Sequence, residues 1–220
     1  MIHGNFPEQY LLKAFNNEAY MEDFINHGKL RMRVLQYYRT IEDRGRADKT
    51  EGEAHIQVPG TVEKVVFFPG DPGRVEVHEE DGLQQHHIQL GNPVYIFCAS
   101  QASVDSRYLI RKFGSHLVQI TNPKQLAADI LSFLPSIPEI NANQIEGHAV
   151  KYSHGQVVKS KPERNEFTTL SYIQKPKSYS PECEFRYAVV SKEPPLQRVE
   201  RKFIDINLNR PLSYASIFSI

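Results

Sequence analysis

Two groups of polar residues in this sequence have the types and the spacing that chemistry requires. The first is in the segment SYSPECEFRY, where Glu182, Glu184 and Arg186 alternate with Cys183 and Phe185. Because side chains two residues apart on a strand point to the same face, an extended backbone would bring these three charges together. A pair of neighbouring carboxylates suits glycosyl transfer, in which one stabilises a cationic sugar and the other orients or deprotonates an acceptor. The alternative is an amphipathic strand whose solvent face carries ions.

The second group follows the segment LRMRV, which begins at Leu30. Apolar side chains and arginines alternate in this segment, which predicts a half-buried strand with a core face. Tyr38 and Arg39 come shortly after it, at the start of a loop of mixed charge that continues to Glu53. Tyrosines beside an arginine can stack on a base and hold a phosphate, so this group could form the floor of a polar pocket. The alternative is a solvated loop whose charges neutralise one another.

Other kinds of site have less support. His86 and His87 are adjacent, so on a strand they point to opposite faces and cannot easily bind one metal ion, and no metal site is predicted. Cys98 lies in the middle of an expected core strand without a nucleophile elbow. The segment Gly70–Gly73, GDPG, lacks the lysine and the helix of a phosphate loop and predicts a hairpin turn. A metal-independent nuclease would need a constellation of histidines or lysines that we do not find.

The composition sets limits on the class of protein. The 220 residues include 26 basic and 26 acidic side chains, so a generalised DNA-binding surface is not indicated, although a local basic site is compatible with this balance. No apolar run approaches the roughly 20 residues of a membrane span. The N-terminal MIHGNFPEQY has no secretory pattern, so we expect a cytoplasmic protein. Cys98 and Cys183 lie in apolar segments, which predicts buried, reduced thiols.

The first elements that would position these residues form a strand–helix–strand unit. Tyr10–Phe15 is predicted to be a strand that carries Lys13 in an otherwise apolar run. A helix is expected over Glu18–His27, because Asn17 can cap its start and Gly28 can end it. The strand of the LRMRV segment follows.

The rest of the chain is predicted to be rich in strands. Strands are expected at His55–Val58, Thr61–Phe68, Arg74–Glu80, Gln84–Leu90, Val94–Ser100, Leu117–Ile120, Cys183–Val190, Arg198–Ile206 and Leu212–Phe218. Helical patterns begin near Ser103 and at Asn122-Pro123, and segments 147–152 and 157–158 are interpreted as a hairpin. Segment 159–181 should be largely loop. We therefore predict one α+β domain over residues 1–220, with mostly antiparallel or mixed sheets and a few helices.

Taken in order, several segments resemble a broad family of bacterial and phage-borne proteins known mainly as a domain of unknown function. They are YLLKAF, HGKL, LRMRVLQYYRTIEDRGRADKTEGE, VYIFCAS, FGSHLVQITNP and YSPECEFRYAVV, and they cover the chain from about Tyr10 to about Val190. The resemblance implies the fold of ADP-ribosyltransferases and a cleft for NAD between two small sheets. Because such proteins occur beside toxin and phage-defence genes, it also implies a toxin or defence effector with an antitoxin or another partner protein.

Roles for individual residues follow from the same resemblance. It implies that Glu184 is the catalytic glutamate, with Glu182 as the second candidate, and that Lys13, Tyr38 and Arg39 hold NAD. The sequence departs from the usual transferase pattern, since it has no Ser-Thr-Ser on the second strand and no arginine or histidine at the usual place on the first. The acceptor would be a nucleic acid or a protein. We expect Glu184→Gln to abolish transfer and to leave the fold intact.

A rival prediction comes from a different functional class. The chain could be a catalytically inert module of the same fold that recognises a protein or a nucleotide through its charged loop. The two predictions differ in what they require of the glutamates, because an enzyme needs Glu182 or Glu184 to open into the same cleft as Tyr38 and Arg39.

Overall fold

The structure is a computed structural model, and it describes residues 1–35, 37–40, 53–59, 64–66, 74–80, 83–89, 92–137, 140, 142–152, 156–157, 166–168, 171–191 and 202–219. The predicted turn at Gly70–Gly73 and most of the charged loop before Glu53 lie outside these residues, as do the side chains of His86 and His87.

Strands account for most of the regular structure in the described part of the chain. In chain order they are β1 (Ile2–Gly4), β2 (Leu11–Phe15), β3 (Lys29–Val34), β4 (Glu53–Pro59), β5 (Lys64–Val66), β6 (Arg74–Glu80), β7 (Leu83–Gln89), β8 (Val94–Gln101), β9 (His116–Ile120), β10 (Ile145–Ala149), β11 (Lys151–Tyr152), β12 (Gln156–Val157), β13 (Glu166–Thr168), β14 (Gln174–Lys175), β15 (Glu184–Val190), β16 (Phe203–Asn207) and β17 (Ala215–Ile217).

A mixed sheet of nine strands forms the centre of the fold. Seven strands follow the order β1-β10-β15-β8-β2-β9-β17, and β3 joins the edge of β8 and carries β16 on its other side. The β1–β10 pair is parallel, whereas β15 and β8 run antiparallel in register from Glu184 opposite Ser100 to Val190 opposite Val94. Smaller sheets have the orders β12-β4-β7-β6, β11-β14 and β13-β5. The predicted α+β class is therefore confirmed.

Helices α1 (Glu18–His27), α2 (Tyr37–Thr40), α3 (Ser106–Phe113) and α4 (Pro123–Phe133) accompany these strands, together with 3-10 turns at Leu134–Ser136, Ser171–Ile173 and Lys177–Glu182. The ends of α1 are as predicted, because the Asn17 side chain accepts a hydrogen bond from the Ala19 amide and Gly28 takes the left-handed conformation that ends a helix. Of the helices in the described ranges, none combines the length and the apolar character needed to span a membrane.

The core lies on the face of the large sheet that α1 and α4 cover. Leu30, Met32 and Val34 of β3 are all buried in it, as the alternating pattern predicts. Aromatic rings fill its centre, and Phe24 of α1 stacks on Phe97 of β8 with 6.0 Å between ring centroids. This packing fixes β8 and its neighbours, so side chains on the opposite face of the sheet have a rigid base.

The pairing of one segment and the start of one helix differ from the prediction. The expected hairpin between 147–152 and 157–158 does not form, because Lys151–Tyr152 pairs with Gln174–Lys175 and Gln156–Val157 pairs with β4. The helix expected from Ser103 begins at Ser106, where the Asp105 side chain caps the Arg107 amide. The strand character of these segments and the helical character after Ser103 were therefore predicted correctly, whereas the strand partners and the start of the helix were not.

Candidate functional site

A cleft opens where two strands diverge from one edge of β8. On that edge β2 pairs with Ser100 and Gln101, and β3 pairs with Tyr95 and Ile96. Among the described strands, none pairs on this edge with residues 97–99 between them. Lys13 of β2 reaches into the gap, and its Nζ donates a 2.7 Å hydrogen bond to the carbonyl of Cys98. The split therefore leaves a space that side chains from both diverging strands can line.

The cleft has a volume of about 380 Å³, which is within the range of small-molecule sites. Lys13, Tyr38, Glu182 and Glu184 all line it, so the structure brings together four of the five residues for which we predicted a role. For Arg39 the structure gives the backbone, which lies in α2 directly after Tyr38, whereas its side chain is outside the described part.

A chain of ion pairs crosses the floor of the cleft. Glu182 accepts from Lys112 Nζ at 2.6 Å and from Lys175 Nζ at 2.9 Å. The same Lys175 Nζ lies 2.9 Å from Oε2 of Glu184, whose Oε1 is 2.7 Å from Nε of Arg186. Glu182 and Glu184 are 4% and 5% exposed. They are thus buried at the cleft floor, which excludes the alternative of a strand with a solvated ionic face.

The two glutamates reach this position by a route that the sequence pattern did not predict. Glu184 and Arg186 do share a face of β15, but Glu182 ends the 3-10 turn Lys177–Glu182 and is not on the strand. Between them Cys183 has φ 43° and ψ 43°, a left-handed conformation that costs a non-glycine residue about 1 kcal/mol or more. This turn directs both carboxylates toward Lys175.

The charge state of Glu184 is set by its neighbours. Burial by itself would raise the pKa of this carboxyl, but the charges of Arg186 and Lys175 and the hydrogen bonds from Arg186 and Cys98 outweigh it, so the pKa lies well below the ordinary value. Glu184 is therefore an anion at neutral pH.

Two neutral groups lie near this anion in addition to its cationic partners. Burial raises the pKa of the Cys98 thiol and of the Tyr38 phenol well above their ordinary values, so both keep their protons. Cys98 and Cys183 are both free thiols, as expected, although each is half-buried. A protonated Cys98 that hydrogen-bonds to Glu184 supports the carboxylate and is a poor nucleophile.

In the part of the cleft lining that the structure describes, basic side chains outnumber acidic ones. Its basic lining residues are Lys13, Arg31, Arg33, Lys175 and Arg186, whereas the acidic residues in the described part of the lining are Glu182 and Glu184. Arg31 is paired with Asp205 on β16 through contacts of 2.6 and 2.9 Å. Arg33 lies over the ring of Tyr37, 4.6 Å from its centroid. An anionic ligand with a planar group would match these walls.

Glu184 should make the free energy of unfolding depend on pH in the acidic range. In the unfolded chain its pKa returns to about the ordinary value of 4.5, so below that pH the unfolded state binds more protons than the folded state. Its stabilising contribution is therefore complete above this pH and is lost as the pH falls toward its folded pKa. We expect the difference in free energy of unfolding between wild type and Glu184→Gln to shrink as the pH falls from about 5 to about 3. Urea denaturation at each pH measures it, and a constant difference would contradict the assignment.

Two lysines of the site were missed in the sequence. Lys175 lies in the two-residue strand β14, which is too short to show any periodicity. Lys112 gave a partial signal in its spacing, because it follows Tyr108 by one helical turn. In the structure its Nζ lies 3.2 Å from the Tyr108 hydroxyl. Nothing in the sequence indicated that it would meet Glu182.

No protein-family model matches this chain, and comparisons with curated proteins and with solved structures also give no match.

Proposed function

We propose that the cleft binds NAD and that the protein transfers ADP-ribose from it to an acceptor. The observation that carries the proposal is that Glu184, buried and ionised, lines the same cleft as Lys13 and Tyr38. Strands β2 and β3 diverge from one edge of β8, and β15, which carries Glu184, pairs with the other edge. This arrangement also supports the finer proposal of an ADP-ribosyltransferase-like fold.

The chemistry requires a negative charge close to the ribose. As the bond between the ribose C1′ and the nicotinamide nitrogen breaks, nicotinamide leaves as a neutral base with the bonding electrons and positive charge develops on the ribose. A fixed carboxylate beside the sugar stabilises this state more than the bound substrate, which accelerates the reaction. The lone pair of the acceptor then forms the new bond to C1′, and the acceptor proton passes to solvent. In this scheme Glu184 is the stabilising carboxylate, and Glu182 is the candidate for orienting the acceptor.

The basic walls would hold the rest of the dinucleotide. Lys13 reaches the gap from β2, and Arg33 faces it from β3, so the two cations flank the opening from opposite sides. A pyrophosphate between them would receive charge-assisted hydrogen bonds. Tyr38, with a protonated hydroxyl, offers a ring to stack on and a donor. Arg39 remains a predicted NAD contact.

A nucleotide-binding module without catalysis is the second candidate, and one observation favours it. Every carboxylate oxygen of Glu182 and Glu184 already has a cation within 3 Å, as in a purely structural ion network. Such a network would form the cationic floor of a binding site without contributing to bond cleavage. Both candidates require a nucleotide in the cleft, so binding is the first property to test.

Purified protein titrated calorimetrically with NAD should bind one molecule per chain. Lys13→Ala should weaken binding about tenfold or more, because a hydrogen bond to a charged group is worth about 1.5–3 kcal/mol. Lys29→Ala is the matched control, since Lys29 is an exposed lysine paired with Asp23 outside the cleft lining, and it should bind like the wild type. Equal losses for both lysines, or no saturable binding of NAD, would refute the proposed site.

A further inference from the structure

We propose that a strip of stacked arginines and aromatic rings next to the cleft binds a single-stranded nucleic acid, which is the acceptor of the ADP-ribose. The strip consists of Tyr37, Arg33, Arg31 and Phe203. The role as acceptor rests on the proposed function, whereas binding of nucleic acid by the strip can be measured without it.

Two cation–ring contacts build the strip on the outer face of β3 and β16. The guanidinium carbon of Arg31 lies 4.0 Å from the ring centroid of Phe203, and that of Arg33 lies 4.6 Å from that of Tyr37. Arg33 and Phe203 are directly opposite each other in the β3–β16 register, so the two pairs are neighbours. The core face of β3 is filled by apolar side chains, which fixes the outer face in place.

The strip is exposed where a ligand could reach it. Phe203 is 38% exposed and the Arg31 side chain 45%, and Tyr20, which lies close enough to Arg31 to influence its pKa, is 62% exposed. Phe203 and Arg31 are therefore open to solvent, whereas Arg33 and Tyr37 are half-buried beside them.

The chemistry of the strip fits nucleic acid better than a peptide. Bases stack on aromatic rings and on guanidinium planes, and arginines contact the phosphates between them, so alternating rings and arginines match the alternation of bases and phosphates along a single strand. Asp205 is the one carboxylate that we find against the strip among the described residues, and Arg31 holds it in a two-contact pair. Two arginines against one carboxylate among the described residues favour a polyanionic ligand.

The position of the strip also explains how an acceptor would reach the reacting sugar. Arg31, Arg33 and Tyr37 belong both to the strip and to the wall of the cleft. A strand that lies along the strip would therefore place one nucleotide at the cleft mouth. An oxygen or nitrogen of that nucleotide would then supply the lone pair that bonds to C1′ while nicotinamide leaves, as described above.

Fluorescence anisotropy with labelled single-stranded DNA and RNA of about 12 nucleotides tests the proposal at low salt. The wild type should bind, and Phe203→Ala should bind about tenfold more weakly because one stack is lost. Phe203→Leu, which retains apolar packing without a ring, should show the same loss. Ile217→Ala is the matched control, since Ile217 is an exposed apolar residue on β17, which ends the β2–β9–β17 branch of the sheet and not the β3–β16 branch, and it should bind like the wild type. Arg33→Ala should reduce the slope of log affinity against log salt by about 0.7.

Failure of this inference can be separated from failure of the proposed function. Phe203 is outside the cleft lining, so Phe203→Ala should titrate with NAD like the wild type. Absence of oligonucleotide binding, or equal binding by Phe203→Ala and wild type, would overturn the strip as a nucleic-acid site whether or not NAD binds. Transfer of ADP-ribose to protein alone would overturn its role in presenting the acceptor.

Discussion

A Glu184→Gln protein is expected to release nicotinamide from NAD about a thousand times more slowly than the wild type. At about 4 Å and an effective dielectric near 20, a carboxylate stabilises a developing unit charge by roughly 4 kcal/mol. Transition-state arithmetic converts this energy into nearly three decades of rate. Chromatography of free nicotinamide at saturating NAD measures the effect, because saturation separates the chemical step from binding.

Glu182→Gln is the matched control for this experiment. Both glutamates contact Lys175, so either substitution removes one carboxylate from the same lysine. If Glu182 acts on the acceptor, its variant should lose far less nicotinamide release than Glu184→Gln. Equal rates for wild type and Glu184→Gln would show that Glu184 is not the stabilising group.

The structure amends the expectation that Glu184→Gln leaves the fold intact. Arg186 is 1% exposed and forms a 2.7 Å ion pair with Glu184, so a neutral glutamine removes the anion that pairs with this buried charge. The variant should therefore be less stable than the wild type, and its rate has to be measured where thermal denaturation shows that both proteins are folded.

Arg186→Met should have the largest effect on stability. Arg186 connects Glu184 to the backbone, since its Nη1 donates a 2.5 Å hydrogen bond to the carbonyl of Tyr172. Removal of one partner of a buried ion pair typically costs about 3–5 kcal/mol, and we expect the lower part of this range because Glu184 keeps its contact with Lys175. Urea denaturation gives the loss in free energy of unfolding.

Two further variants test whether the stability loss of Arg186→Met comes from the broken ion pair. Glu184→Met combined with Arg186→Met should regain most of the stability, because apolar side chains of similar size often replace a buried ion pair without cost. Arg31→Met removes an arginine from an exposed pair with Asp205 and should cost no more than about 1 kcal/mol. If Arg186→Met were as mild as Arg31→Met, the buried network would not stabilise the cleft floor.

Local signals in the sequence were sufficient for the elements that begin and end within a few residues. Helix α1 has its cap at Asn17 and its stop at Gly28, and β3 has three apolar residues at alternate positions. The residues within each segment were therefore enough to predict it. The pairing of short segments was beyond such patterns. Strands β11 and β12 find partners far away in sequence, and a two-residue strand has no periodicity from which register can be inferred.

The candidate site shows the same division. The pairing of Glu184 with Arg186 follows from strand geometry and could be predicted from their spacing. The convergence of Glu182 and Glu184 on Lys175 could not be predicted. It depends on the left-handed conformation of Cys183 and on a lysine from a separate segment. The gap between β2 and β3 is likewise a property of the whole sheet, and no local pattern in either strand indicates it.

Transfer of adenine-labelled NAD to the macromolecules of a cell extract tests the central claim most directly, with wild type and Glu184→Gln compared after calorimetry has shown that both bind NAD. We predict that the wild type attaches label to an acceptor and that the variant, although it binds NAD, attaches almost none. Saturable binding of NAD by the wild type without any transfer of label or release of nicotinamide would contradict the account and would leave a nucleotide-binding module.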